Sequence, residues 1–232
     1  MKLNKKKVLT ASLAVSLVAI LSLGTLAWFN DTKSVTNSFK VATSENDTDP
    51  EFSVKVSETD LEGNETTTGV TYYDVIPGDD IAKDPTITNT GDYTQWIRVA
   101  VTLNKAGGWK AAGGSLVFTE LFEGSSYGLA ANVGTDITSK WLLVEDEVAV
   151  QDDKATWYLY LNRELPAGSD EVLFTNVNIP TEFTQQEMAE INNEFDIVVS
   201  ADALQRDNTG DNAVEAFAYV NWTAGTAFVD ED

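Results

Sequence analysis

The chain contains no cysteine and no histidine. Without thiols there is no disulfide, thiol nucleophile, iron–sulfur cluster, lipidated cysteine or zinc thiolate site. Without imidazole the commonest general base and metal ligand is missing, and with it every histidine-dependent triad and the H-E-x-x-H zinc helix. Serine and lysine show no S-x-x-K spacing, and without histidine a serine lacks the base of a triad, which leaves a covalent hydrolase without support. No repeat of 20 to 50 residues is visible. Basic residues are also scarce: 15 Lys plus Arg stand against 37 Asp plus Glu. Four of the lysines are Lys2, Lys5, Lys6 and Lys7, and beyond them 11 basic residues face 37 acids, a net charge of −26. A surface of that sign repels phosphate backbones and anionic headgroups, so neither nucleic acid nor a membrane is an expected partner of the domain that follows.

What is present begins with those lysines. Met1 to Lys7 is a basic stretch, and Val8 to Leu26 is a run of nineteen residues without an ionisable side chain. Thr25 and Ala27 then supply the small side chains that a signal peptidase accepts at the third and first positions before its cut. The pattern predicts a signal peptide over residues 1–27 with cleavage between Ala27 and Trp28, and hence export. An uncleaved anchor is the plain alternative, since about 20 apolar residues cross a bilayer.

The chain is 232 residues long, 43% hydrophobic and 10% aromatic, with six tryptophans, which suits one domain with a real core, assigned here to 43–232 behind an N-terminal segment, 28–42. Period-two alternation dominates it. Phe52, Val54 and Val56 alternate with Ser53, Lys55 and Ser57, Ile97, Val99, Val101 and Leu103 with Trp96, Arg98, Ala100 and Thr102, and Trp157, Leu159 and Leu161 with Tyr158 and Tyr160, while Ile197 and Val199 begin a last block. Such blocks put one strand face on a core, and several of them imply an all-β sandwich with minor helix. Turn signals lie between: Pro77-Gly78-Asp79, Asn89 to Asp92, Gly107-Gly108, Gly113-Gly114, Pro166 to Gly168 and Asp207 to Asn212. Thr43 to Pro50 and Glu58 to Gly69 read as exposed loops. A helix is expected within Thr184 to Asn193, where Thr184 and Glu187 have capping-box spacing, and a second from Asp211 or Asn212 through Ala218.

The junction Gly24 to Asp31, followed by Thr32-Lys33-Ser34 and Asn37-Ser38-Phe39, resembles the TasA, CalY and camelysin family of biofilm-matrix proteins. The resemblance continues in Val75 to Asp79, Ile87 to Gly91 and Trp96 to Val99, and ends near Ala213 to Trp222. It implies a jelly-roll-like β-sandwich, processing by a dedicated signal peptidase, a matrix co-assembly protein and homo-oligomeric extracellular fibres in which an N-terminal segment completes a neighbour's sheet. The matching segment is Trp28 to Ala42, where Phe29, Val35, Phe39 and Val41 share one parity. A donated strand uses backbone hydrogen bonds for affinity and alternate side chains for register. An ordinary first strand of the same molecule fits the pattern equally.

The camelysin branch of the resemblance implies a metal-dependent protease as the alternative function, although carboxylates and carbonyls alone suit calcium or magnesium better than catalytic zinc. No cofactor is expected beyond calcium, for which Asp79, Asp80 and Asp84, or Asp207 and Asp211, are the candidate oxygens. Asp207 to Asn212 is not an EF-hand, because its glycine stands fourth and no glutamate follows at the twelfth place. Solvated turns account for the same residues more simply. Trp96, Trp109, Trp141, Trp157 and Trp222, with Tyr72, Tyr73, Tyr158 and Tyr160, read as core and cross-strand residues before they read as a sugar platform. A monomeric surface-adhesion module is the third reading.

Overall fold

The alternating blocks become the long strands of a mainly β protein. The computed structural model describes residues 30–34, 53–73, 75–181, 183–184, 195–207 and 209–219. Among them β1 (Asn30–Ser34), β2 (Val54–Thr59), β3 (Glu65–Thr66), β4 (Asp80–Ala82), β5 (Thr86–Asn89) and β6 (Gln95–Asn104) precede two short helices, α1 (Ala106–Ala111) and α2 (Phe118–Leu121). Then come β7 (Phe122–Glu123), β8 (Tyr127–Leu129), β9 (Trp141–Leu143), β10 (Lys154–Leu161), β11 (Asp170–Val172), β12 (Asn176–Asn178), β13 (Ile197–Gln205) and α3 (Ala213–Tyr219). They form three sheets: β1-β13-β6-β10-β9-β8, β11-β5-β2-β3 and β4-β12-β7. Among the described residues no sheet closes on itself as the jelly roll that the resemblance implies would require, and the fold is mainly β without that closure. Only β6, β10 and β13 reach eight residues or more; strands of two to six residues elsewhere are too short to continue two matched layers.

β6 sits at the centre of the largest sheet. Its odd-numbered side chains Ile97, Val99, Val101 and Leu103 are fully buried in the main core. Across the antiparallel ladders they face Leu159 and Trp157 on β10 and Val199, Ala201 and Ala203 on β13. The alanines leave room for β2, which packs against β13 and adds Val54 and Val56 to the same core. Phe118, Phe122, Trp157 and Phe174 interlock there, with ring centroids 4.6 to 6.5 Å apart, at separations where aromatic pairs gain energy beyond area burial.

The opposite face of this sheet has its own smaller core. Trp96, Leu142, Tyr160 and Leu204 meet Ala213, Ala216 and Phe217 of α3. Asn212 starts that helix, its Oδ1 accepting from the Glu215 amide at 3.0 Å. Beneath the helix, Arg98 is buried and reaches Asp202 Oδ2 through Nη2 at 2.6 Å and Nε at 3.0 Å. Its guanidinium carbon also lies 5.0 Å from the Phe217 ring centroid and 5.7 Å from that of Tyr158.

Two expectations change. Gly107 and Gly108 are not a turn but the middle of α1, because Trp109 is buried in the core and donates its indole N–H to Ser115 O at 2.9 Å. A Cβ on Gly107 would stand 2.7 Å from Asp153 Oδ1, the oxygen that accepts the Gly107 amide. Glu58 to Gly69 is a short hairpin of β2 and β3 rather than an open loop, and Glu58 is buried. The helix expected within Thr184 to Asn193 and the loop Thr43 to Pro50 lie outside the described residues, whereas the helix expected after Asn212 is α3.

Candidate functional site

The edge of the largest sheet is the site to which the N-terminal reading leads. β13 pairs with β6 along its whole length, from Ile197 opposite Leu103 to Gln205 opposite Gln95. Its other edge is taken by β1, a strand of five residues against nine. The backbone groups of a strand edge hydrogen-bond any strand of suitable register, so what sits there is decided by tethering and side chains. β1 ends at Ser34 and β2 begins at Val54 in a different sheet. The cleavage residues Ala27 and Trp28 and the shared-parity residues Phe29, Val35, Phe39 and Val41 lie outside the described residues; the strand falls between Phe29 and Val35.

The candidate calcium oxygens are placed separately. Asp79 Oδ2 accepts from the Ile76 amide at 2.8 Å within the Pro77-Gly78 turn. Asp80 Oδ1 accepts from Asn176 Nδ2 at 2.8 Å across the β4–β12 ladder. Asp84 takes the amide and hydroxyl of Thr59 at 2.7 and 2.6 Å. Asp207 lies 3.3 Å from Arg206 Nη1, and the Asp211 amide is turned to Glu215. Among the described residues, no three acidic side chains converge as a metal site would require. With no histidine or cysteine in the chain, this donor set does not fit a catalytic zinc, and no step through a metal is derived.

A groove of about 660 Å³, which the sequence did not indicate, opens beside the start of α3. Trp96, Leu142 and Tyr160 line it together with the loop from Val133 to Lys140, on which Ile137 is 91% exposed. The Tyr160 phenol is raised above its ordinary range by burial, with Arg98 opposing the shift. Lys140 and Arg163 on the rim are both drawn to the buried carboxylate of Glu171. The other expected core aromatics are placed as read: Trp109, Trp141, Trp157 and Tyr160 are buried, Tyr158 is half-buried, and Tyr73 is the exception, exposed on the segment before β4. Trp222 lies outside the described residues.

Among the described residues no helix is long and apolar enough to cross a membrane. Neither the curated proteins nor the solved structures include a match to the chain. The family comparison does give one, over residues 2–104, a stretch that ends at the last residue of β6, and there the chain is similar to the camelysin metallo-endopeptidase family.

Proposed function

We propose that the chain is an exported structural subunit that assembles into extracellular fibres, its N-terminal strand completing the largest sheet of a neighbouring copy. The observation that carries this reading is the place of β1: a short N-terminal strand at the end of the sheet, on the edge of a strand nearly twice its length. The same hydrogen bonds form whether that strand comes from its own chain or from the next, so exchange conserves contacts and converts a monomer into a head-to-tail, non-closing array. The similarity of residues 2–104 to the camelysin family supports the same placement, because it spans the leader and this strand together. On this reading the hydrophobic run is removed at Ala27, and the mature domain works outside the cell.

Deleting residues 28–42 from the exported domain is expected to leave a folded β protein by circular dichroism and to abolish fibres in negative-stain images. Global unfolding of the deletion would make the segment an ordinary internal strand, and fibres of unchanged length would dismiss its role. The second reading, a surface protease, rests on the metallo-endopeptidase description of the matching family. Chelator-sensitive casein cleavage by the purified domain, lost on substitution of one carboxylate cluster, would replace the first reading with it.

A further inference from the structure

Glu58 lies in β2 and Lys83 in the connection from β4 to β5, and their side chains form an ion pair in the interior, 1% and 10% exposed. A buried ion pair is stable only when the remaining lone pairs and protons of both ions are satisfied. Here they are not. Glu58 Oε1 is shut off from solvent and has no hydrogen-bond partner, while Lys83 Nζ, which carries three protons, has Glu58 Oε2 as its acceptor among the described residues. The two backbones are fixed on either side of the pair. The Lys83 amide donates to Thr175 O at 2.9 Å, and the following residue of each partner is clamped to the other by the two hydrogen bonds from Thr59 to Asp84. Tyr72 closes the surroundings, its hydroxyl donating to Ala82 O at 2.8 Å. Its phenol is pushed up to about 12, first by burial and then by the negative charges of Glu58 and Asp84.

We infer that Lys83 and Glu58 condense into an intramolecular isopeptide bond that staples β2 to the β4–β5 connection. The reaction begins as the ammonium passes one proton to the carboxylate across their hydrogen bond. The lone pair on Nζ then attacks Cδ of Glu58. A C–N bond forms, the C–O bond to the protonated oxygen breaks, and a second Nζ proton leaves with that oxygen as water. One ammonium and one carboxylate yield one amide and one water, with no change of oxidation state and no cofactor. Fixed contact between the groups supplies the effective molarity, on the order of 10⁵ to 10⁸ M in well-oriented intramolecular reactions, that drives a condensation unfavourable between free molecules in water. The product lessens both mismatches: the nitrogen keeps one N–H in place of three, and the oxygen left without a partner belongs to a neutral carbonyl instead of an ion.

The test is peptide mass spectrometry of the purified exported domain, digested with trypsin under denaturing conditions. No Lys or Arg lies between Lys55 and Lys83, so an unlinked chain releases Val56–Lys83 and Asp84–Arg98 as separate peptides. The linked chain is expected to resist cleavage at Lys83 and to release Val56–Arg98 as one species, lighter by the mass of one water. Lys83→Arg keeps a cation opposite Glu58 but cannot form this amide; it is expected to restore cleavage at position 83 and full mass, and to lower the unfolding midpoint. Recovery of free Val56–Lys83 at its full mass from the wild-type domain overturns the inference and leaves an ion pair. So does a loss of water elsewhere with position 83 still cleavable.

Discussion

Asp136 shapes the groove loop with one carboxylate. Its Oδ1 accepts the Thr138 amide at 2.9 Å, the Thr138 hydroxyl at 3.0 Å and the Ser139 amide at 3.0 Å, and these bonds, those from Ser139 foremost, hold the carboxyl well below the usual carboxylate range. The sign of the pH effect follows. A folded pKa below the unfolded one adds stability that is complete above the unfolded pKa, near 4, and is lost as pH falls through the folded value. Asp136→Asn is therefore expected to destabilise the domain by a constant amount from pH 7 to about 5, with the gap to wild type narrowing below about pH 4. Thermal unfolding of both proteins across that range measures it. A gap that narrows between pH 7 and 5 would assign the effect to some other group. Asp60, held low chiefly by the Asn64 amide, and Glu65, held low chiefly by Lys55, titrate with the same sign and in the same acid window.

At the scale of elements, α3 is a seven-residue helix too short to persist alone, and it owes its place to what it covers. Phe217 is fully buried, packs 5.8 Å from the Tyr160 ring and caps the Arg98 guanidinium from the side opposite the sheet. Phe217→Ala is expected to cost about 3 to 5 kcal/mol, the usual range for a buried phenylalanine, and to do so by releasing the helix while β6, β10 and β13 remain paired. Chemical denaturation gives the magnitude, and amide exchange confined to 212–219 distinguishes release of the helix from general loosening. This helix was legible in the sequence because Asn212 and the spacing of Ala213, Ala216 and Phe217 are local signals. The strands β6, β10 and β13 were legible because two-residue periodicity survives where the large core takes the aliphatic side chains of one face and the other face carries a smaller, mixed set. α1 was not, since two adjacent glycines read as a turn and the reason for the first, clearance at Gly107 for Asp153, comes from a residue 46 positions away. Nor was the burial of Glu58 and Lys83, because a charge reads as solvent-facing until its partner is known. Division of the strands into three sheets depends on pairings such as β12 with β4 and β7 that no local pattern encodes.

For the whole molecule the governing quantity is charge. The 11 basic residues beyond Lys7 face 37 acids, and many of the described ones are already engaged within the fold: Lys55 with Glu65, Lys83 with Glu58, Arg98 with Asp202, Lys140 and Arg163 with Glu171, and Arg206 with Glu164. Little cationic surface is left to meet a neighbour's acids, so in the fibre proposed above docking of one subunit on the next would bring two anionic bodies together against the gain from strand pairing. Screening relieves this in part, because the Debye length falls from ~30 Å at 0.01 M salt to ~8 Å at 0.15 M. Acid relieves it more fully, since approach to the sequence pI near 4.1 removes charge instead of masking it. Calcium is expected to act no more strongly than sodium at equal ionic strength, because Asp79, Asp80 and Asp84 each already accept a hydrogen bond within the subunit. Light scattering of monomeric mature domain is therefore expected to rise with sodium chloride, to rise further from pH 7 towards 4, and to coincide for calcium and sodium. Assembly indifferent to salt and acid would reduce the acidic surface to a solubility feature, and a distinct calcium response would place a bridging ion between subunits, where carboxylates of two copies supply what one copy does not.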